Sequence, residues 1–262
     1  MVLLVLIILI VILFYFLNKN LSLNEYFNNN EIIFYRKNNL YNILKKDQDN
    51  YFKTFFDYDL KVRNVDNVEE YYQKMYNSIC NPDITTINKI TNYISNIKLK
   101  ISNYKLTNNF YNGINLTKFL DLKWRIGFVC DNNYENGLPH TRNNIIILNK
   151  NKIDISSDIK IMKTLIHEQI HIYQKEYPNE VNKYLNNYGF KKIKEREKND
   201  NIRANPDLDN FIYQDKNYNT YKAIYNNNPK SVEDITYYPY NEQFYEHPNE
   251  RMAIEFESIL NN

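Results

Sequence analysis

Cysteine is scarce in this chain: there are 2 in 262 residues, Cys80 and Cys130. They sit in no CxxC or other ligand spacing, which excludes a thiolate metal site. Whether they pair in an oxidising compartment or both stay free is left open by the sequence. An excess of charge of one sign is also missing. The formal net charge of +2 gives no electrostatic case for nucleic-acid binding. The mixed-sign run Lys191–Lys198 reads as a solvated helix face. With only 4 glycines there is no Gly/Ser linker, and no internal repeat is visible. Length alone allows one large domain or two small ones.

What is present is apolar and aromatic. Hydrophobic residues make up 43% of the chain and recur throughout, which argues against Asn-rich disorder. The 25 tyrosines and many asparagines fit the coding bias of an A+T-rich genome. Met1–Leu17 is uninterrupted apolar sequence with Phe14, Tyr15 and Phe16 at its end. As a helix it would run about 26 Å, close to the roughly 30 Å hydrocarbon core. No small-residue cleavage site follows, so an uncleaved single-pass signal anchor is expected. The side of the membrane holding the rest is undetermined. Residues 18–50 read as a polar stalk, and 51–262 as the domain.

Within the domain, Val68–Cys80 and the isoleucines at 84, 87, 90, 94 and 97 have helical spacing, with Pro82 at a helix start. Leu116–Leu122 is a further short helix. Arg125–Val129 and Asn144–Leu148 read as strands, the second buried on both faces. His140 lies near the edge of that sheet, where Pro139 also fits. Tyr177–Phe190 is helical, residues 195–245 form a long irregular lobe, and Glu246–Leu260 makes a last helix. The fold class expected is α+β, a small mixed sheet packed on one central helix and mostly helical elsewhere.

That central helix holds two of the chain's 4 histidines. It covers Ile161–Lys175 and contains His167-Glu168-Gln169-Ile170-His171. Residues i and i+4 share a helix face, so both imidazoles can address one metal ion. Glu168 is rotated about 100° from His167 and lies beside the ion, placed to deprotonate a zinc-bound water. Ser156-Ser157-Asp158 supplies an N-cap cluster. Ile159, Met162, Ile166, Ile170 and Tyr173 would face the core. A catalytic zinc takes three protein ligands plus water, and no HExxHxxGxxH spacing follows. Glu250 is the preferred third ligand, on a second rigid helix where small Ala253 permits close approach. His247 is the competitor.

These residues resemble the zincin metallopeptidases, in particular the gluzincin branch, in which a glutamate on a later helix completes HExxH. The likeness covers roughly Trp124–Tyr177 and Glu246–Leu260. It implies a zincin-like fold, one Zn²⁺ held by His167, His171 and Glu250, and hydrolysis of peptide substrates with Glu168 as general base. His140, Tyr245, His247 and Arg251 are candidates for stabilising the oxyanion, His140 first. Arg251 has an alternative partner in Glu255. The chain departs from thermolysin-like members at position 254, where Ile replaces the acidic partner of a ligand. The rival reading is a catalytically inactive or non-peptidase protein of the same fold, acting as a membrane-anchored structural or interaction protein.

Overall fold

The computed structural model describes residues 26–29, 31–239 and 245–261. The apolar segment 1–17 lies outside them. No helix among the described residues is long and apolar enough to cross a membrane.

The described chain opens with β1 (Tyr26–Asn29) and β2 (Ile32–Phe34), then α1 (Lys37–Lys45), α2 (Asp57–Val62) and α3 (Val68–Ser78). The long helix α4 (Ile84–Lys105) follows, capped by the Asp83 side chain, which accepts from the Thr86 N–H. Next come the hairpin β3 (Phe110–Tyr111) and β4 (Ile114–Asn115), then α5 (Leu116–Leu120) and β5 (Trp124–Val129). β6 (His140–Arg142), β7 (Ile145–Asn149) and α6 (Lys150–Ile155) lead to α7 (Asp158–Glu176) and α8 (Pro178–Tyr188). Gly189 ends α8 in the left-handed region. Four strands, β8 (Lys191–Glu195), β9 (Phe211–Gln214), β10 (Thr220–Tyr225) and β11 (Ile235–Tyr238), precede α9 (Pro248–Glu257).

The architecture is mixed α+β. The main sheet has the order β1-β2-β5-β7-β6. β2, β5 and β7 are mutually parallel, and β6 returns antiparallel as an outer edge. The period of two along each strand builds a core on both faces. Phe34, Ile126, Phe128, Ile146 and Leu148 point into the larger cluster, with α4, α7 and α9. Ile33, Val129, Ile145 and Ile147 point the other way, onto α1 and α3. A Cβ at Gly127 would meet Leu40 of α1 at 2.5 Å, so glycine there lets α1 sit on β5. Cys80 and Cys130 are disulfide-bonded, joining the end of α3 to the end of β5.

Four expectations need correction. Residues 18–50 are not all stalk: β2 pairs with β5, and Ile32, Phe34, Leu40 and Leu44 are buried core residues. The short apolar run Ile32-Ile33-Phe34-Tyr35 in a polar surround is too brief to signal a core strand, and the partner β5 makes it one. Lys191–Lys198 is not a helix face; its first five residues are strand β8. Residues 195–239 are not one irregular lobe, because they hold β9–β11, which with β8 form a four-stranded antiparallel sheet; residues 240–244 lie outside the described residues. Ile159, expected in the core, is exposed, while Ile161, Leu165 and Ile172 join Ile166, Ile170 and Tyr173 inside.

Between the two sheets lies a buried ionic cluster. The Arg63 guanidinium donates to both oxygens of Glu135, Nε to Oε1 at 2.9 Å and Nη2 to Oε2 at 2.8 Å. Tyr51 and Tyr71 hydroxyls donate to the same carboxylate. Burial alone would raise the Glu135 carboxyl, but Arg63 outweighs it and holds it at about 2, against an ordinary 4.5. Breaking a buried pair by removing one partner costs about 3–5 kcal/mol. Glu135→Ala is expected to lose that much in urea unfolding at pH 7. A depressed carboxyl stabilises above its unfolded value, so the wild-type advantage should fade as pH falls from about 4.5 towards about 2. An unchanged urea midpoint at pH 7 would contradict this account.

Candidate metal centre

The site is made by α7 crossing α9. α7 is long enough to carry His167 and His171 on successive turns, and its apolar side locks it against the sheet. α9 starts at Pro248, with His247 as its N-cap: the ring Nδ1 accepts from the Asn249 N–H. Met252, Ala253 and Phe256 of α9 are fully buried. Ala253 adds little side-chain bulk to α9, and Glu250, one turn earlier, reaches the two imidazoles.

Glu250 Oε2 lies 3.2 Å from His167 Nε2 and Oε1 lies 3.8 Å from His171 Nε2. The ligand atoms of all three residues fall within 4.8 Å of one another. An ion about 2.0–2.2 Å from each of three such atoms needs them roughly 3.3–3.5 Å apart in tetrahedral geometry. The outer ring nitrogens are already held. His167 Nδ1 donates to Glu257 Oε1 at 2.9 Å, and His171 Nδ1 donates to Gln174 Oε1 at 3.0 Å. Gln174 in turn donates to the Asn249 carbonyl of α9. Each ring is thereby fixed with Nε2 inward. His171 Nε2 is buried without a hydrogen-bond partner, the condition a metal ion would relieve.

The three groups are electrostatically coupled. Burial lowers the pKa of His171 from the ordinary imidazole value. Burial also opposes a charge on His167, but Glu250 and Glu257 outweigh it and raise that pKa well above the usual value. Burial would raise Glu250; the two histidines overcome it and hold the carboxylate ionised.

Glu168 points to the other side of the trio. Its Oε2 accepts from the Thr141 hydroxyl at 3.0 Å. Burial, then the neighbouring Asp207 carboxylate, push its pKa well above the ordinary range. Glu168, His171 and Asp207 also place ligand-type atoms within 4.8 Å of one another. A cavity of about 610 Å³ opens over these groups, lined by His140, His167, Glu168, Asp207 and Glu250 among others.

The other expected residues divide. His140 lines this cavity and is 2% exposed. Its Nδ1 faces the Leu138 carbonyl at 2.9 Å and so carries the proton. Burial lowers its pKa, so Nε2 is a lone pair, an acceptor rather than the N–H donor an oxyanion needs. His247 caps α9 and meets Asp209 at 3.1 Å, away from the trio. Tyr245 stacks on Tyr221, and Arg251 pairs with Glu255 at 2.7 Å.

Asp207, Thr141, Gln174 and Glu257 were not foreseen. Glu257 had a signal: it stands seven residues after Glu250, two turns on the same face. It takes the acidic-partner place that Ile254 leaves vacant. Comparison with protein-family models, curated proteins and solved structures finds no match to this chain.

Removing an orienting partner of a ligand typically weakens metal affinity 10–100-fold. Glu257→Ala should weaken zinc binding by that factor, read by competition against a chromophoric chelator. Affinity equal to wild type would remove Glu257 from the site's support.

Proposed function

We propose that the chain is a zinc-dependent peptidase of the gluzincin type, with His167, His171 and Glu250 as the metal ligands. The observation that carries this reading is Glu168. Binding a metal does not require a second carboxylate immediately beside the ligand trio, in the same cavity and hydrogen-bonded to none of the three. Hydrolysis does require it. A zinc ion at this place supplies a polarised carbonyl and a more acidic water.

The chain's own residues do the rest. Glu168 accepts a proton from the attacking water and delivers it to the leaving amine. Thr141, on edge strand β6, fixes one carboxylate oxygen by its hydroxyl. Glu257 and Gln174 hold the two rings in place. The apolar segment Met1–Leu17 would tether this domain to a membrane. The Cys80–Cys130 disulfide favours the oxidising side of that membrane for the domain.

The test is Glu168→Gln. Loss of a general base costs about 10²–10⁴ in rate. The variant is expected to keep its zinc and lose peptide hydrolysis by such a factor. Hydrolysis at the wild-type rate would overturn the assignment. A zinc-loaded wild type that cleaves no peptide would favour the interaction-protein reading instead.

A further inference from the structure

We propose that the cleft takes a peptide by its free amino end, so that the chain removes N-terminal residues rather than cutting within a sequence. This inference rests on the peptidase reading above and adds the class of substrate.

The first observation is a blocked edge. β6 is the outermost strand of the main sheet, paired only with β7. A peptide running along such an edge uses its outward N–H and C=O groups. At Thr141 both are occupied. The Thr141 N–H donates to Asp207 Oδ1 at 2.5 Å, and its carbonyl accepts from Lys175 Nζ at 3.2 Å. The same lysine donates to the Pro206 carbonyl at 3.3 Å. The segment Asn205-Pro206-Asp207 thus lies across the path that a continuing peptide would follow.

The second observation is that this segment is a fixed wall. The Ala204 N–H donates to buried Asp59 at 2.9 Å, and the Ala204 carbonyl accepts from Arg63. Asn205 donates to Glu246 at 2.8 Å and to Glu250 at 3.3 Å, and its own oxygen accepts from the Asp207 N–H at 3.0 Å. Asp207 lines two separate cavities, one over Glu168 and His167 and one on the far side beside Asn143 and Lys175. What would be one through-groove is divided in two.

The third observation is the chemistry at the closed end. Glu168 and Asp207 put carboxylate oxygens within 4.8 Å of each other and of a His171 nitrogen. His140 Nε2, an acceptor, is buried in the same wall with no partner. Lys175, the cation on the far side, hydrogen-bonds to the two carbonyls and acts on Asp207 through space only. A terminal ammonium brings a positive charge and three donors to these acceptors. A terminal carboxylate would be repelled, and an acetylated end offers one N–H and no charge. From His171 to Lys160, at the open end of the cleft, α7 rises roughly 16 Å, room for about five extended residues. Lys160 and Lys163 line that open end, where a peptide's acidic or C-terminal groups would lie.

The reaction balances as a hydrolysis. The oxygen of one water bonds to the carbonyl carbon of the first residue, and the bond to the second residue's nitrogen breaks. The proton taken by Glu168 goes to that nitrogen.

The experiment uses the zinc-loaded full-length protein in detergent and pairs of pentapeptides identical except for N-terminal acetylation. Products are read by mass spectrometry, and binding to Glu168→Gln is read by calorimetry. The free-amine peptide should lose its first residue, with kcat/KM at least 100-fold above the acetylated partner, and only the free form should bind Glu168→Gln. Asp207→Asn, shown to retain zinc, should shrink that discrimination ratio at least tenfold. Acetylated peptides cut equally fast, or cleaved at internal bonds, would overturn the proposal while leaving the peptidase reading intact. No cleavage and no binding of either peptide would overturn both.

Discussion

The packing of α7 against α9 is the constraint on which the site depends. Three ligand-type atoms from two helices converge, and fully buried Ala253, one turn after Glu250, adds little side-chain bulk to α9 there. The arrangement has an electrostatic cost. A buried glutamate and two imidazoles share a small space, and burial alone would discharge Glu250. The histidines prevent that, and Glu257 and Gln174 spread the load outward through hydrogen bonds. A divalent cation in this place would therefore stabilise the fold as well as supply chemistry, since its binding free energy adds to folding.

A second dependence links the wall of the cleft to the rest of the molecule. Arg63 and Glu135 form a buried pair, and the Arg63 guanidinium also holds the Ala204 carbonyl. Asp59, one turn before Arg63, takes the Ala204 N–H, the Tyr225 hydroxyl and Arg196. The small antiparallel sheet is thereby tied to α2, and Asp207 is carried to the edge of the main sheet. The lobe is a structural part of the cleft rather than an appendage.

Much of the main layer was legible in the sequence. α4 and α7 show helical periodicity in their isoleucines, and Ile145–Leu148 is apolar on both sides because the strand is buried on both. The coming together of His167, His171 and Glu250 was legible too, since His167 and His171 are local on one helix and Glu250 sits one turn before a small residue. The second sheet was missed for a physical reason. All five residues of β8 are exposed, and three are lysines, as suits an edge strand that must avoid further pairing. β10 does alternate, with Tyr221, Ala223 and Tyr225 inward, but in so tyrosine-rich a chain the pattern does not stand out. Asp207 had no local signal at all. Its role comes from a tertiary approach to Thr141, 66 residues earlier in the chain, and no periodicity encodes that.

The central claim is that two helices hold one metal ion through His167, His171 and Glu250. Zinc K-edge X-ray absorption on the zinc-loaded wild-type protein tests it most directly. The account predicts a first shell of two imidazole nitrogens and one carboxylate oxygen, with roughly 2.0–2.2 Å bonds and a remaining light-atom ligand. A shell without two imidazoles, or folded protein that takes up no zinc, would contradict it.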